Sequence, residues 1–286
     1  MIIGWIFQRY SQRRLPVLQD LPNKIALITG ASAGLGAEFA VQLAEKGYDL
    51  ILVARREERL KLLSDTLQTK YGIKTTPLQA DLSLLEDIER VISCINYTSN
   101  IELLVNNAGF GTVGKFSSVE PKKELSMLQV HMIAPVMLCR AALPGMISRN
   151  KGAIINVSSL AGLLPIRSVL YGSTKSFIVR FSESLQEELH WSEIRVQALC
   201  PGFFLSEFHD TSEYTQFSRT SIPRFLWMTS EQVVNKSLES LSHKTVICVP
   251  GSLYSLVGGL ARNSITAGII KFIAYLFLKS RKSKKY

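Results

Sequence analysis

Strand-like runs of four to six residues recur along this chain, at residues 25–29, 50–54, 75–79, 103–106, 153–158, 196–200 and 246–249. Runs this short, bounded by turn residues, predict strands buried on both faces. Between them apolar side chains fall three or four positions apart, as Phe39, Leu43 and Ala44 do, and that spacing predicts helices. Two longer helices are expected near residues 121–149 and 171–191. Strictly alternating strands and helices predict an α/β fold: a doubly wound, mostly parallel sheet with helices on both faces. A chain of 286 residues can fill one such core. No internal repeat or low-complexity linker divides it. The expected division is an N-terminal extension (1–22), a catalytic domain (23–251) and a C-terminal extension (252–286).

Chemistry enters at the end of the first strand. The stretch Thr29, Gly30, Ala31, Ser32, Ala33, Gly34, Leu35, Gly36 carries an apolar run into a helical pattern. A strand that turns through glycines into a helix aims backbone N–H groups outward at a positive helix end, a geometry that receives a pyrophosphate. Further on, Tyr171 and Lys175 stand four residues apart, so a phenol and an ammonium share one helix face. Ser158 lies thirteen positions before that tyrosine, at the end of the 153–158 run.

With Asn106, Asn107, Ala108 and Gly109 after the fourth strand and Pro201-Gly202 after the sixth, this ordered set resembles the short-chain dehydrogenase/reductase family in its common, non-extended branch. The resemblance covers roughly residues 22 to 250 and implies a seven-stranded Rossmann sheet. It implies NADP(H) as cofactor rather than NAD(H). An NAD site usually carries a carboxylate after the second strand, whereas position 54 is alanine and Arg55 stands where the family's phosphate-binding cation is found. By the same resemblance the cofactor meets Gly30, Ser32, Ala33, Gly34, Leu35, Gly36, Asp81, Leu82, Asn107, Ala108, Tyr171, Lys175, Pro201, Gly202, Phe204 and Ser206. Asp81 is expected near the adenine, and as a cap for the helix starting near Leu84. Asn106 is expected to be structural.

The resemblance assigns Tyr171 as the acid that delivers a proton to a carbonyl oxygen. A free phenol has a pKa of about 10, so Lys175 is expected to lower it toward neutrality. Ser158 is expected to donate to the substrate oxygen. Where relatives carry a fourth catalytic residue, an asparagine acting through its main-chain carbonyl, this chain has His131. Pro135, four residues on, lacks the N–H that would close the helical bond to that carbonyl. His131 is therefore expected to keep the backbone role, with its imidazole either titrating beside the site or filling space.

Charge sharpens the picture of the ends. The net charge is +10, of which +3 lies in residues 1–24 and +7 in residues 262–286, so the body between is balanced. Both ends are also apolar. Ile265, Ile269, Phe272, Ile273 and Leu276 fall on one helical stripe, ahead of the basic residues at 279–285. Two readings stay open: a helix lying in a membrane interface, or one packed on the body or in a dimer contact. Arg262, Asn263 and Lys271 interrupt the apolar stretch, which argues against a full crossing. Too few aromatics interleave the tail charges to suggest nucleic-acid binding.

Neither the four cysteines nor the four histidines show metal-type spacing. Reduced, buried thiols suit the cytoplasm or the cytoplasmic face of a membrane. Phe203, Phe204, Phe208, Tyr214, Phe217, Phe225, Leu226 and Trp227 follow the sixth strand, where such folds select substrate. They point to a lipophilic ketone (3-oxoacyl, sterol-like or another lipid) or simply to packing of that segment. Relatives pair through the two long helices, so a homodimer or homotetramer is expected. The rival reading is a non-catalytic NADPH-binding regulator or scaffold.

Overall fold

The computed structural model describes residues 24–164, 166, 168–207, 220, 222–243, 245–262 and 268. The N-terminal extension, the apolar stripe from Ile265 to Leu276, the basic tail after it, and Phe208, Tyr214 and Phe217 lie outside the described residues.

Seven strands form one sheet: β1 (Ile25–Thr29), β2 (Asp49–Ala54), β3 (Thr75–Gln79), β4 (Ile101–Asn106), β5 (Ala153–Val157), β6 (Arg195–Leu199) and β7 (Ile247–Cys248). Their order is β3-β2-β1-β4-β5-β6-β7, every pair parallel. The helices are α1 (Gly34–Glu45), α2 (Glu57–Tyr71), α3 (Leu85–Asn96), α4 (Pro121–Leu128), α5 (Ala134–Ser148), α6 (Val169–Glu188), α7 (Ser230–Ser240) and α8 (Ser252–Arg262).

Alternation along the strands distributes side chains to two apolar layers. Ile25, Leu27, Ile51, Val53, Leu104, Ile154 and Val196 meet α3, α5 and α6 on one face. Ala26, Ile28, Leu50, Leu52, Leu103, Val105 and Ile155 meet Phe39, Leu43 and Leu60 of α1 and α2 and Val233 and Val234 of α7 on the other. Because both faces are covered, β1 and β2 read as unbroken apolar runs. The strand order reverses between β1 and β4. In open α/β sheets the crevice at the carboxyl ends beside that switch receives ligands.

One expected helix is not uniform. Between α4 and α5 the rod widens into a π turn over Gln129–Ile133, with the Ala134 N–H bonded to the Gln129 carbonyl five residues back. Pro135 has no N–H for the α ladder, and widening accommodates that gap. The turn falls on His131.

The start of the C-terminal extension packs on the body. Tyr254 of α8 donates its hydroxyl to the Leu226 carbonyl at 2.6 Å and accepts from the Phe203 N–H. Arg262 reaches Glu183 of α6 at 2.7 Å. Leu253, Leu256 and Leu260 face outward on the same helix.

Candidate active site

The glycine turn is built by close approach. Gly30 has φ +67°, and a Cβ there would stand 2.8 Å from Asn107 Nδ2 and 2.9 Å from the Ala108 Cα. A Cβ on Gly36 would collide with the Gly30 carbonyl and the Asn107 amide. The end of β4 is thereby clamped to the turn after β1. Asn107 Nδ2 donates to the Thr29 carbonyl at 2.8 Å, while the Asn107 and Ala108 N–H groups donate to Thr29 Oγ1 at 2.9 and 3.0 Å. α1 starts beyond Ala33 with no side chain capping it, which leaves its first N–H groups for an incoming anion. Asn106 is buried between strands, donating to Asn156 Oδ1 at 2.8 Å, as a structural residue would.

These elements border a cavity of about 940 Å³. All the catalytic and cofactor residues expected from sequence line it except Gly36, which lies beneath the turn, and His131; of the aromatic segment after β6, Phe203 and Phe204 line it whereas Phe225, Leu226 and Trp227 do not. A second cavity, about 510 Å³, lies among Lys46, Tyr48, Glu102 and Lys151 at the amino ends of the strands, remote from every motif.

At the cavity floor Lys175 is 5% exposed, and its Nζ donates to the Val157 carbonyl at 2.9 Å. That ammonium lies 5.7 Å from the centroid of the Tyr171 ring. Burial pushes Lys175 down to about 8. Burial also raises the Tyr171 phenol above its ordinary value, a hydrogen bond with Ser159 acting in the opposite sense. This corrects the expectation of a phenol made acidic by its lysine. In the free chain desolvation dominates, and Tyr171 holds its proton throughout the neutral range.

The serine needs correction too. Ser158 is buried, and its hydroxyl donates to the Lys175 main-chain carbonyl at 2.7 Å. Its proton is committed to fixing α6 against β5. The neighbouring Ser159 shares the hydrogen bond with Tyr171 and lines the cavity. Sequence counting passed it over by one residue, although the Ser158-Ser159 doublet was a visible signal.

His131 stands behind the site. Its Nε2 accepts from the Phe110 N–H at 3.0 Å, so the hydrogen of the neutral ring sits on Nδ1 and is donated to Thr174 Oγ1 at 3.0 Å. Thr174 passes its own hydrogen to the Tyr171 carbonyl at 2.9 Å. Burial, then the Lys175 charge, holds the imidazole well below its ordinary value. A neutral, fully bonded ring supports α6 and the loop after β4; it is no titrating partner.

The other end of the cavity is cationic. Arg55 is largely exposed, with Asp81 at 3.9 Å. Its neighbour Arg56, to which the resemblance assigned no role, turns Nε and Nη2 to Ser32 Oγ in the glycine turn at 3.1 and 3.0 Å. Asp81 does not cap α3, whose preceding residue Leu84 has no side-chain cap. It accepts instead from the Ser83 N–H and hydroxyl, an Asx turn. Phe204 is positioned by a short bridge between the chain after β6 and Met228, whose N–H donates to the Phe203 carbonyl at 3.0 Å.

The sequence profile described as short chain dehydrogenase matches residues 24–216. The chain belongs to the short-chain dehydrogenase family. Its members are oxidoreductases of alcohol and carbonyl groups, and this family member is an enzyme of that class. An uncharacterised oxidoreductase of Bacillus subtilis is 36% identical over 198 residues, covering 68% of this chain and 79% of its own. A very-long-chain 3-oxoacyl-CoA reductase of Anas platyrhynchos is 29% identical over 271 residues, 91% of this chain and 84% of the relative. Among solved structures, a short-chain dehydrogenase from Sphingobium yanoikuyae in complex with NADPH superposes with a TM-score of 0.75 at 29% identity. That match covers 82% of this chain and 92% of the other.

Proposed function

We propose that this dehydrogenase interconverts a carbonyl and a secondary alcohol with NADP(H), on a lipophilic substrate whose leading candidate is a long-chain 3-oxoacyl thioester. One observation carries the reading. A single cavity joins the Tyr171, Lys175 and Ser159 cluster to a glycine turn flanked by Arg55 and Arg56. The closely packed turn and the two arginines fit a dinucleotide bearing a 2′-phosphate. When bound, the cofactor supplies the hydride.

The chain's residues do the rest. Tyr171, protonated, gives its hydrogen to the carbonyl oxygen as that oxygen gains charge. Ser159 donates a second hydrogen bond to the same oxygen. Lys175, cationic below about pH 8, holds positive charge beneath both. Ser158 and His131 act indirectly, by locking α6 in place.

Substrate class rests on two supports. Leu160, Leu164, Ile166, Phe110, Phe203 and Phe204 give the cavity an apolar wall. The Anas relative named for 3-oxoacyl-CoA reduction aligns over nearly the whole chain, beyond the family core. The outward leucines of α8 support contact with a membrane surface on its cytoplasmic side. Leu125, Ile133 and Ile147, exposed on α4, the π turn and α5, support a homo-oligomer through those helices.

NADPH oxidation with a long-chain 3-oxoacyl thioester and with a ketosteroid, each with and without vesicles, tests the assignment. Turnover of the thioester, faster with NADPH than NADH, is expected. Turnover of neither carbonyl, with NADPH bound, would favour the regulator reading.

A further inference from the structure

A charge cluster edges the adenosine end of the cavity and takes no part in the proton chemistry. Glu207, seven residues beyond Cys200, accepts from Arg59 Nη1 through both carboxylate oxygens at 2.9 and 2.7 Å. It also accepts from Arg56 Nη1 at 3.2 Å. Arg56 thus has one edge on Glu207 and the other on Ser32 of the glycine turn. The segment carrying Glu207 passes over that turn: a side-chain carbon on Gly34 would lie 3.4 Å from Ser206 Cβ. A carboxylate from the chain after β6 therefore reaches the guanidinium that also contacts the glycine turn.

Carboxylate and phosphate engage the same fork of guanidinium donors. One edge of Arg56 cannot serve both. Arg59 grips Glu207 independently of Ser32, so the carboxylate retains an anchor when Arg56 releases it. The two arginines also hold the Glu207 carboxyl below its ordinary value, which keeps it anionic.

We propose that Glu207 is a specificity-setting residue, an internal anion that occupies Arg56 in the free chain and yields it to the 2′-phosphate. It thereby trims the preference for NADP(H) over NAD(H). NAD(H), with a neutral 2′-hydroxyl, has no need to break the Arg56–Glu207 contact. The inference rests on the dinucleotide reading above. Both partners are about half exposed, so screening keeps the effect modest, roughly two- to fivefold.

Calorimetry on the full chain tests it with NADPH, NADH, adenosine 2′,5′-bisphosphate and adenosine 5′-monophosphate. Glu207→Gln is expected to tighten the two 2′-phosphorylated ligands about two- to fivefold and to leave the other two unchanged. In an Arg56→Gln background the same substitution is expected to gain nothing, because the contested donor is gone. Wild-type NADPH binding with no gain from Glu207→Gln, or weakening of all four ligands alike, would overturn the inference while sparing the dinucleotide reading. If the wild-type chain bound neither dinucleotide, both would fall.

Discussion

The two ends of the cavity are built on opposite principles. At the floor, Lys175, Ser158 and His131 are buried and Tyr171 is partly buried, hydrogen bonds tie Ser158 and His131 to α6, and desolvation governs the protonation of Tyr171, Lys175 and His131. At the mouth, Arg55, Arg56, Arg59 and Glu207 stand in solvent and interact mainly through charge. The first kind of site is insensitive to salt and intolerant of substitution; the second is screened and adjustable. Proton transfer needs a fixed geometry, whereas selection between two related cofactors needs only a difference in affinity.

The largest separation of the two ends is expected from Tyr171→Phe. Loss of the proton donor should lower kcat by about 10²- to 10⁴-fold, with NADPH affinity unchanged by calorimetry. Ser159→Ala should follow, with a loss of about 10²-fold or more in kcat. Ser158→Ala should instead lower stability by about 1 kcal/mol in denaturant unfolding. Equal losses of kcat in the two serine variants would contradict the division of roles.

At the mouth, Arg56→Ala should weaken NADPH by roughly tenfold and NADH by much less, with a gap that narrows as salt is raised. The next test is pH. Lys175, lowered to about 8, is cationic below that value and neutral above it, while Tyr171 stays protonated. The kcat/KM for reduction in the wild type should therefore fall as pH rises through about 8.

The smallest effect concerns His131. Its folded-state pKa is depressed, so below about pH 6.5 the unfolded chain takes up a proton that the folded chain refuses. Stability should decline as pH falls through that range. His131→Asn should remove this part of the decline in acid unfolding and leave the shape of the pH–rate profile unchanged.

Legibility from sequence followed physical scale. All seven strands were visible as short runs, largely buried in every case but the edge strand β3, and the glycine turn because its backbone demands are local. What stayed hidden was which serine of the adjacent pair meets Tyr171. Ser158 and Ser159 sit just past a strand end, where neighbours point to opposite sides, whereas Arg55 and Arg56 both line the cavity. The sequence shows the serine doublet, but one residue of error in phase exchanges a structural hydroxyl for the one bonded to Tyr171. Glu207 left no trace at all, since it meets Arg56 across 151 residues of chain. The Tyr171 and His131 shifts were misjudged or left open because burial is a property of the packed molecule.

Single-turnover mixing of the NADPH-loaded enzyme with a long-chain 3-oxoacyl thioester bears most directly on the central claim. The wild type is expected to oxidise one NADPH for each thioester reduced, and Tyr171→Phe carrying the same bound NADPH to do so about 10²- to 10⁴-fold more slowly. Equal single-turnover rates in the two proteins would contradict the assignment of Tyr171 as proton donor.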